Sequence, residues 1–172
     1  MFVRKAITLT GIAVAVAALS PASAPAAAGG ADRPVKGSLS GMDSIDVSRL
    51  PIDQTLAIEA DVSGVISHLG RTTAHLEGHG ALTPQGTVAA NGTGTLVAAN
   101  GDRLTGTFTL AGPAPSFGVH EVRIVMTIIG GTGRFADATG TLRSAQQVTP
   151  TSFDGVTLHQ ASEGPVSGRI SY

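Results

Sequence analysis

The 172-residue chain contains no cysteine and no tryptophan. Disulfides, a thiol nucleophile and a lipid-modified N-terminal cysteine are therefore excluded, and stability must come from packing and backbone hydrogen bonding. Aromatic residues are only 3% of the chain, too few for a stacking platform that holds bases or sugars. Charged residues are 13%, with a formal net charge of −1. That balance offers no basic surface for nucleic acid or anionic lipid. No serine stands in a G-x-S-x-G elbow. Beyond residue 36, Leu, Lys and Glu are sparse and no stretch has the spacing of an amphipathic helix.

What the chain does contain begins with an N-terminal leader. Arg4 and Lys5 precede an uncharged, mostly apolar run over 6–19, and small residues fill 21–28, with Ala26, Ala27 and Ala28 fitting a cleavage site. The run is shorter than the roughly 20 apolar residues of a membrane-spanning helix. The expectation is a signal peptide over 1–28, a flexible leader over 29–36, and one domain over 37–172 that is secreted without a stable membrane anchor.

The rest of the chain alternates at period two between turn residues, the pattern of β-strands. Leu56, Ile58, Ala60, Val62, Gly64 and Ile66 share one face, with Glu59, Asp61 and Ser63 on the other. Arg71, Thr73, His75, Glu77 and His79 oppose Thr72, Ala74 and Leu76. Asn100-Gly101 is the strongest hairpin signal, predicting a type I′ turn between strands at 93–99 and 102–110. Further strands are expected over 119–129, 139–149 and 156–172, the last interrupted near Gly164-Pro165. Roughly eight short-linked antiparallel strands suit an all-β barrel, whose closure removes exposed edges.

The stretch TIIGGTGRFADATGTL (127–142) satisfies G-x-G-x-x-A at Gly131, Gly133 and Ala136. A dinucleotide loop needs a helix after it to hold the pyrophosphate. Here Ala138-Thr139-Gly140-Thr141 follows, a poor first helical turn. The better reading is a β-turn with an aromatic plug. Gly130, Gly131 and Gly133 permit the turn or a bulge, Phe135 folds back onto the interior, and Ala138 and Gly140 leave room for its ring. No cofactor is implied.

The segment GGTGRFADATGTL (130–142) resembles a motif of the allene oxide cyclase and dirigent barrels. With SHLGRTTAHLEGHGAL (67–82) and LVAANGDRLTGTFT (96–109), the chain resembles small exported bacterial proteins with an allene-oxide-cyclase-like barrel, over roughly 54–172. The resemblance implies an eight-stranded antiparallel β-barrel, often a homo-oligomer, whose lumen can hold a hydrophobic small molecule. Such motifs specify the fold far better than the chemistry.

Two arrangements of the site stay open. If the apolar faces line the lumen, His68 and His120 continue them, Gln146 follows Leu142 and Ser144, and Gln160 follows Val156 and Leu158. These polar groups, with Phe108 and Met126, are then candidate ligand-binding residues. If the polar face is the lumen, Glu59, Arg71, His75, Glu77, Glu121 and Arg123 form the site. His75, Glu77 and His79 also spell H-x-E-x-H. Residues i and i+4 of a strand are about 13 Å apart, too far for one zinc ion without another strand, so no metal is assigned. The pairs Thr93/Thr95, Thr105/Thr107/Thr109 and Thr139/Thr141 suggest a surface-binding ladder, though their spacing is not that of a regular repeat. The expected function is a secreted barrel that binds a hydrophobic small molecule or serves a structural role, with no assembled catalytic set. The alternative is an isomerase or cyclase of the allene oxide cyclase type, or a dirigent-like stereo-directing protein.

Overall fold

The structure, a computed structural model, describes residues 30–172. The expected signal peptide and the first residue of the expected leader lie outside the described residues. Eight strands follow in chain order: β1 (Asp32–Asp46), β2 (Thr55–Ile66), β3 (Gly70–Leu82), β4 (Thr87–Val97), β5 (Arg103–Pro113), β6 (His120–Gly131), β7 (Thr139–Phe153) and β8 (Thr157–Ser171). Each pairs antiparallel with its neighbours, and β1 pairs with β8, so the sheet closes into a barrel. The only helical elements among the described residues are α1 (Leu50–Asp53), a single turn, and a 3-10 turn over Gly133–Phe135.

The alternation decides which face is inside. Leu56, Ile58, Ala60 and Ile66 of β2 are buried, while Glu59, Asp61 and Ser63 are exposed. Arg71, His75, Glu77, Glu121 and Arg123 likewise point outward. The apolar faces therefore line the lumen, and the inverted arrangement with charges inside does not occur.

One end of the barrel is plugged. Phe135 is fully buried with Leu104, Ala138 and Ile170, and the Tyr172 ring meets it edge-on with centroids 4.8 Å apart. The Arg134 guanidinium covers the outer side of the Phe135 ring at 4.6 Å. Gly133 has φ +56°, and a Cβ there would lie 1.9 Å from the Asp102 carboxylate. Gly140 has φ +147°, and its Cβ would lie 2.2 Å from the Arg169 carbonyl oxygen. The glycine-rich stretch is thus a plugged turn, and the strand that follows it leaves no helix to hold a phosphate.

Three expectations need correction. The leader does not run to residue 36: Asp32 to Lys36 already pair with β8 in β1, because Val35 is a buried contact of the core. Asn100-Gly101 does sit in the β4–β5 turn, but only Gly101 has positive φ (+86°). The Gly101 amide donates to the Ala98 carbonyl and the Ala98 amide to the Asp102 carbonyl. This is a three-residue loop with glycine in the left-handed position, not a type I′ turn. Finally, β8 runs unbroken through Gly164-Pro165, because Leu158, Gln160, Ser162, Val166 and Ile170 keep one inward face along its length.

Candidate functional site

The lumen is not filled. A cavity of about 80 Å³ occupies its middle, and a second of about 40 Å³ lies nearer the end opposite the plug. Asp43, Ile58, Leu110 and Val122 line both, so the two are neighbouring compartments of one interior. Room on this scale admits several waters or a small organic molecule.

The walls differ in chemistry. Strands β2–β6 contribute only apolar side chains to the central cavity, among them Val62, Leu76, Phe108, Ile124 and Met126. Strands β1, β7 and β8 add a polar stripe of Asp43, Ser144, Gln146 and Ser162. The stripe exists because each of these residues falls on the inward phase of its strand, in line with Leu39, Leu142 and Val166.

Asp43 is the charged group of this stripe. Its Oδ1 accepts a hydrogen bond from the Ser162 hydroxyl at 3.0 Å. Burial among apolar neighbours pushes its carboxyl up to about 6, a shift the Ser162 bond only partly offsets. The Ser144 hydroxyl donates to the Pro165 carbonyl at 2.7 Å and accepts from Gln146 Nε2. Gln146 Oε1 and Gln160 Nε2 are buried without a partner among the described residues. Buried polar atoms are ordinarily satisfied, so two orphans beside a cavity mark a place where a ligand or water completes the bonding. Chemically, the lumen can hold an apolar body, bind a polar end, and exchange a proton near neutral pH.

The residues proposed from sequence are distributed as follows. Phe108, Met126 and Gln146 line the central cavity. Gln160 and His120 line the outer one, with His120 Nδ1 2.9 Å from the Gly118 carbonyl oxygen. His68 is not in the lumen. It sits in the β2–β3 turn at φ +69°, exposed, with Nε2 3.2 Å from the Pro34 carbonyl oxygen. The turn reverses the alternation there, so that Leu69 is buried in its place. Asp43 and Ser162 were missed. The signal for Asp43 was present: Val35, Leu39 and Ile45 fix an inward phase on which residue 43 also falls.

The outer wall answers two other readings. His75 does not join Glu77 and His79. Its Nδ1 meets Asp61 Oδ1 at 2.8 Å, and the ligand atoms of Glu59, Asp61 and His75 lie within 4.8 Å of one another. The hydrogen bond that the His75 ring N–H donates to the Asp61 carboxylate raises the His75 pKa. All three side chains are exposed, which makes this a surface ion pair. The threonines align better than their spacing suggests, since Thr93, Thr107, Thr127 and Thr141 form one cross-strand row over β4–β7. The row wraps round a closed barrel and so presents no flat face.

No protein-family model matches the chain, and no curated protein matches it. Among solved structures it is similar to the pterocarpan synthase dirigent protein GePTS1, at 16% identity and a TM-score of 0.43, over 88% of this chain and 98% of that one. The likeness is too remote to assign chemistry to this chain.

Proposed function

We propose that the protein binds a small, mostly apolar molecule in the barrel lumen, with Asp43 and its polar neighbours on β7 and β8 addressing the ligand's polar end. The observation that carries this reading is the unfilled central cavity of about 80 Å³, bordered by the half-buried Asp43 carboxyl and an unpartnered Gln146 oxygen. A lumen serving only as a core would be packed and its polar atoms paired. The glycine-rich plug at 130–140 and the closed eight-stranded barrel together support a place among the allene oxide cyclase and dirigent barrels. The basic start, apolar run and Ala26-Ala27-Ala28 support export, which N-terminal sequencing of the protein from culture medium tests.

The binding test uses the chain from Gly29 and small apolar probes such as benzyl alcohol, followed by amide and methyl NMR. Shifts are expected at Ala60, Phe108 and Met126, and the cavity-filling variant Ala60→Phe should abolish them. Probes that perturb only surface signals would overturn the reading.

A second reading is favoured by one observation, the Asp43 carboxyl held near pH 6 beside the cavity. Such a group can give and take a proton, as an isomerase or cyclase requires. That role predicts turnover by the protein alone, lost in Asp43→Asn. A dirigent-like role predicts no turnover alone and a changed product stereochemistry when an oxidase supplies the radicals.

A further inference from the structure

Asp43 faces no cation among the described residues. Among the described residues no arginine, lysine or histidine makes an ion pair with it, and its one hydrogen bond comes from Ser162. Two other titratable residues touch the same cavities. Arg143 borders the central one but is exposed on the outward face of β7, across from Val125 and Ser167. His120 borders the outer one at the start of β6. The inward residues of the strands beside Asp43 are uncharged: Ile58 and Ala60 on β2, Gln160 and Ser162 on β8. A carboxylate in such surroundings is costly unless a donor or a cation reaches it.

Gln146 points to the same deficiency. The single hydroxyl hydrogen of Ser144 is committed to the Pro165 carbonyl, so that oxygen can only accept from Gln146. The amide is therefore pinned with its NH2 on Ser144 and its oxygen free. The central cavity thus offers two acceptors short of donors, set against an otherwise apolar wall. Gln160, whose amide no side-chain hydrogen bond pins among the described residues, can present either end.

We propose that the lumen selects a small lipophilic amine in its protonated form, with the ammonium on Asp43, further N–H or O–H donors toward Gln146, and the hydrocarbon part along the β2–β6 wall. This rests on the lumen being a ligand site, and it narrows the ligand to one class. An ammonium brings three donors and the missing positive charge. An alcohol supplies one donor and leaves the charge uncompensated, and a carboxylate ligand meets a like charge.

The test compares n-hexylamine, n-hexanol and hexanoate, three probes with one chain length, by calorimetry at pH 7.5 and pH 5. Lumen methyl NMR shifts report whether each probe enters. An alkylamine is protonated at both pH values, as a lysine side chain is. Hexylamine is expected to bind at least tenfold tighter than hexanol at pH 7.5, with hexanoate weakest. With the Asp43 carboxyl at about 6, hexylamine affinity should fall about tenfold at pH 5, while hexanol affinity stays level. Asp43→Asn keeps the Ser162 hydrogen bond and removes the charge, and should erase both the preference and the pH dependence. His120 borders the outer cavity, so His120→Gln separates the two groups. A pH dependence that survives there supports Asp43, and one that vanishes there overturns the assignment. Hexanol entering the lumen as tightly as hexylamine would overturn the amine and leave the binding barrel standing. No probe entering the lumen would overturn both.

Discussion

The two ends of the barrel use phenylalanine in opposite ways. At the plugged end Phe135 is 0% exposed, sealed by Tyr172 and Arg134. At the other end Phe117 is 76% exposed in the β5–β6 loop and touches Phe153, also exposed, edge-on at 5.9 Å. Ile52 of α1, and Val119 and Val156 in neighbouring loops, are exposed as well. The first end resembles a domain core. The second is an apolar rim near the outer cavity, where Asp43, His120 and Gln160 lie. The difference teaches that sealed and exposed aromatic side chains are assigned to separate ends, so the packing of the plug lies away from the outer cavity.

That division can be broken most forcefully at the plug. Phe135→Ala should cost about 3–5 kcal/mol in denaturant unfolding, the range for truncating a fully buried aromatic. A loss below about 1 kcal/mol would mean that the plug does not hold the barrel shut. Gly140→Ala comes next. It forces a side chain into a positive-φ position and against the Arg169 carbonyl, and should cost roughly 2–3 kcal/mol. The other end predicts the opposite sign. Asp43 has a folded-state pKa of about 6, above its ordinary 3.8, so the fold disfavours the ionised form. The cost is absent below the ordinary value and grows as pH rises through about 6. Asp43→Asn should therefore stabilise the unliganded protein by on the order of 2 kcal/mol at pH 8 and change little at pH 4. Thermal unfolding at both pH values checks this; equal effects would show that Asp43 is not desolvated. The smallest effect belongs to the rim: Phe117→Ser should shift stability by no more than about 0.5 kcal/mol. A larger loss would make the rim part of the core and erase the contrast between the ends.

Much of this was legible in the sequence because a barrel wall imposes one simple rule. Every strand has one apolar and one polar phase, so Leu56 to Ile66 and Leu104 to Leu110 declare their inward faces. The same rule placed Phe108, Met126, Gln146 and Gln160 on the lumen side, and the glycine spacing around Phe135 announced the plug. It failed where the alternation was faint or broken. In β1, serine and glycine carry so little hydropathy that no inward phase stands out around Asp43. At His68 a positive-φ turn reversed the phase within one residue. Whether an inward polar residue finds a partner depends on register between strands far apart in the chain, as with Ser162 and Asp43. No local pattern encodes that register.

The pairing of β1 with β8 has a kinetic consequence. Arg169 and Asp32, 137 positions apart, meet across that seam. Every other strand pair joins neighbours in sequence and can form as the chain emerges, but this one closes the longest loop in the molecule. Until it forms, β1 and β8 each expose a row of unpaired amides and carbonyls, the template on which other chains pair. Refolding should therefore be slow for a domain of this size, and the open-seam species should be the one that aggregates as protein concentration rises.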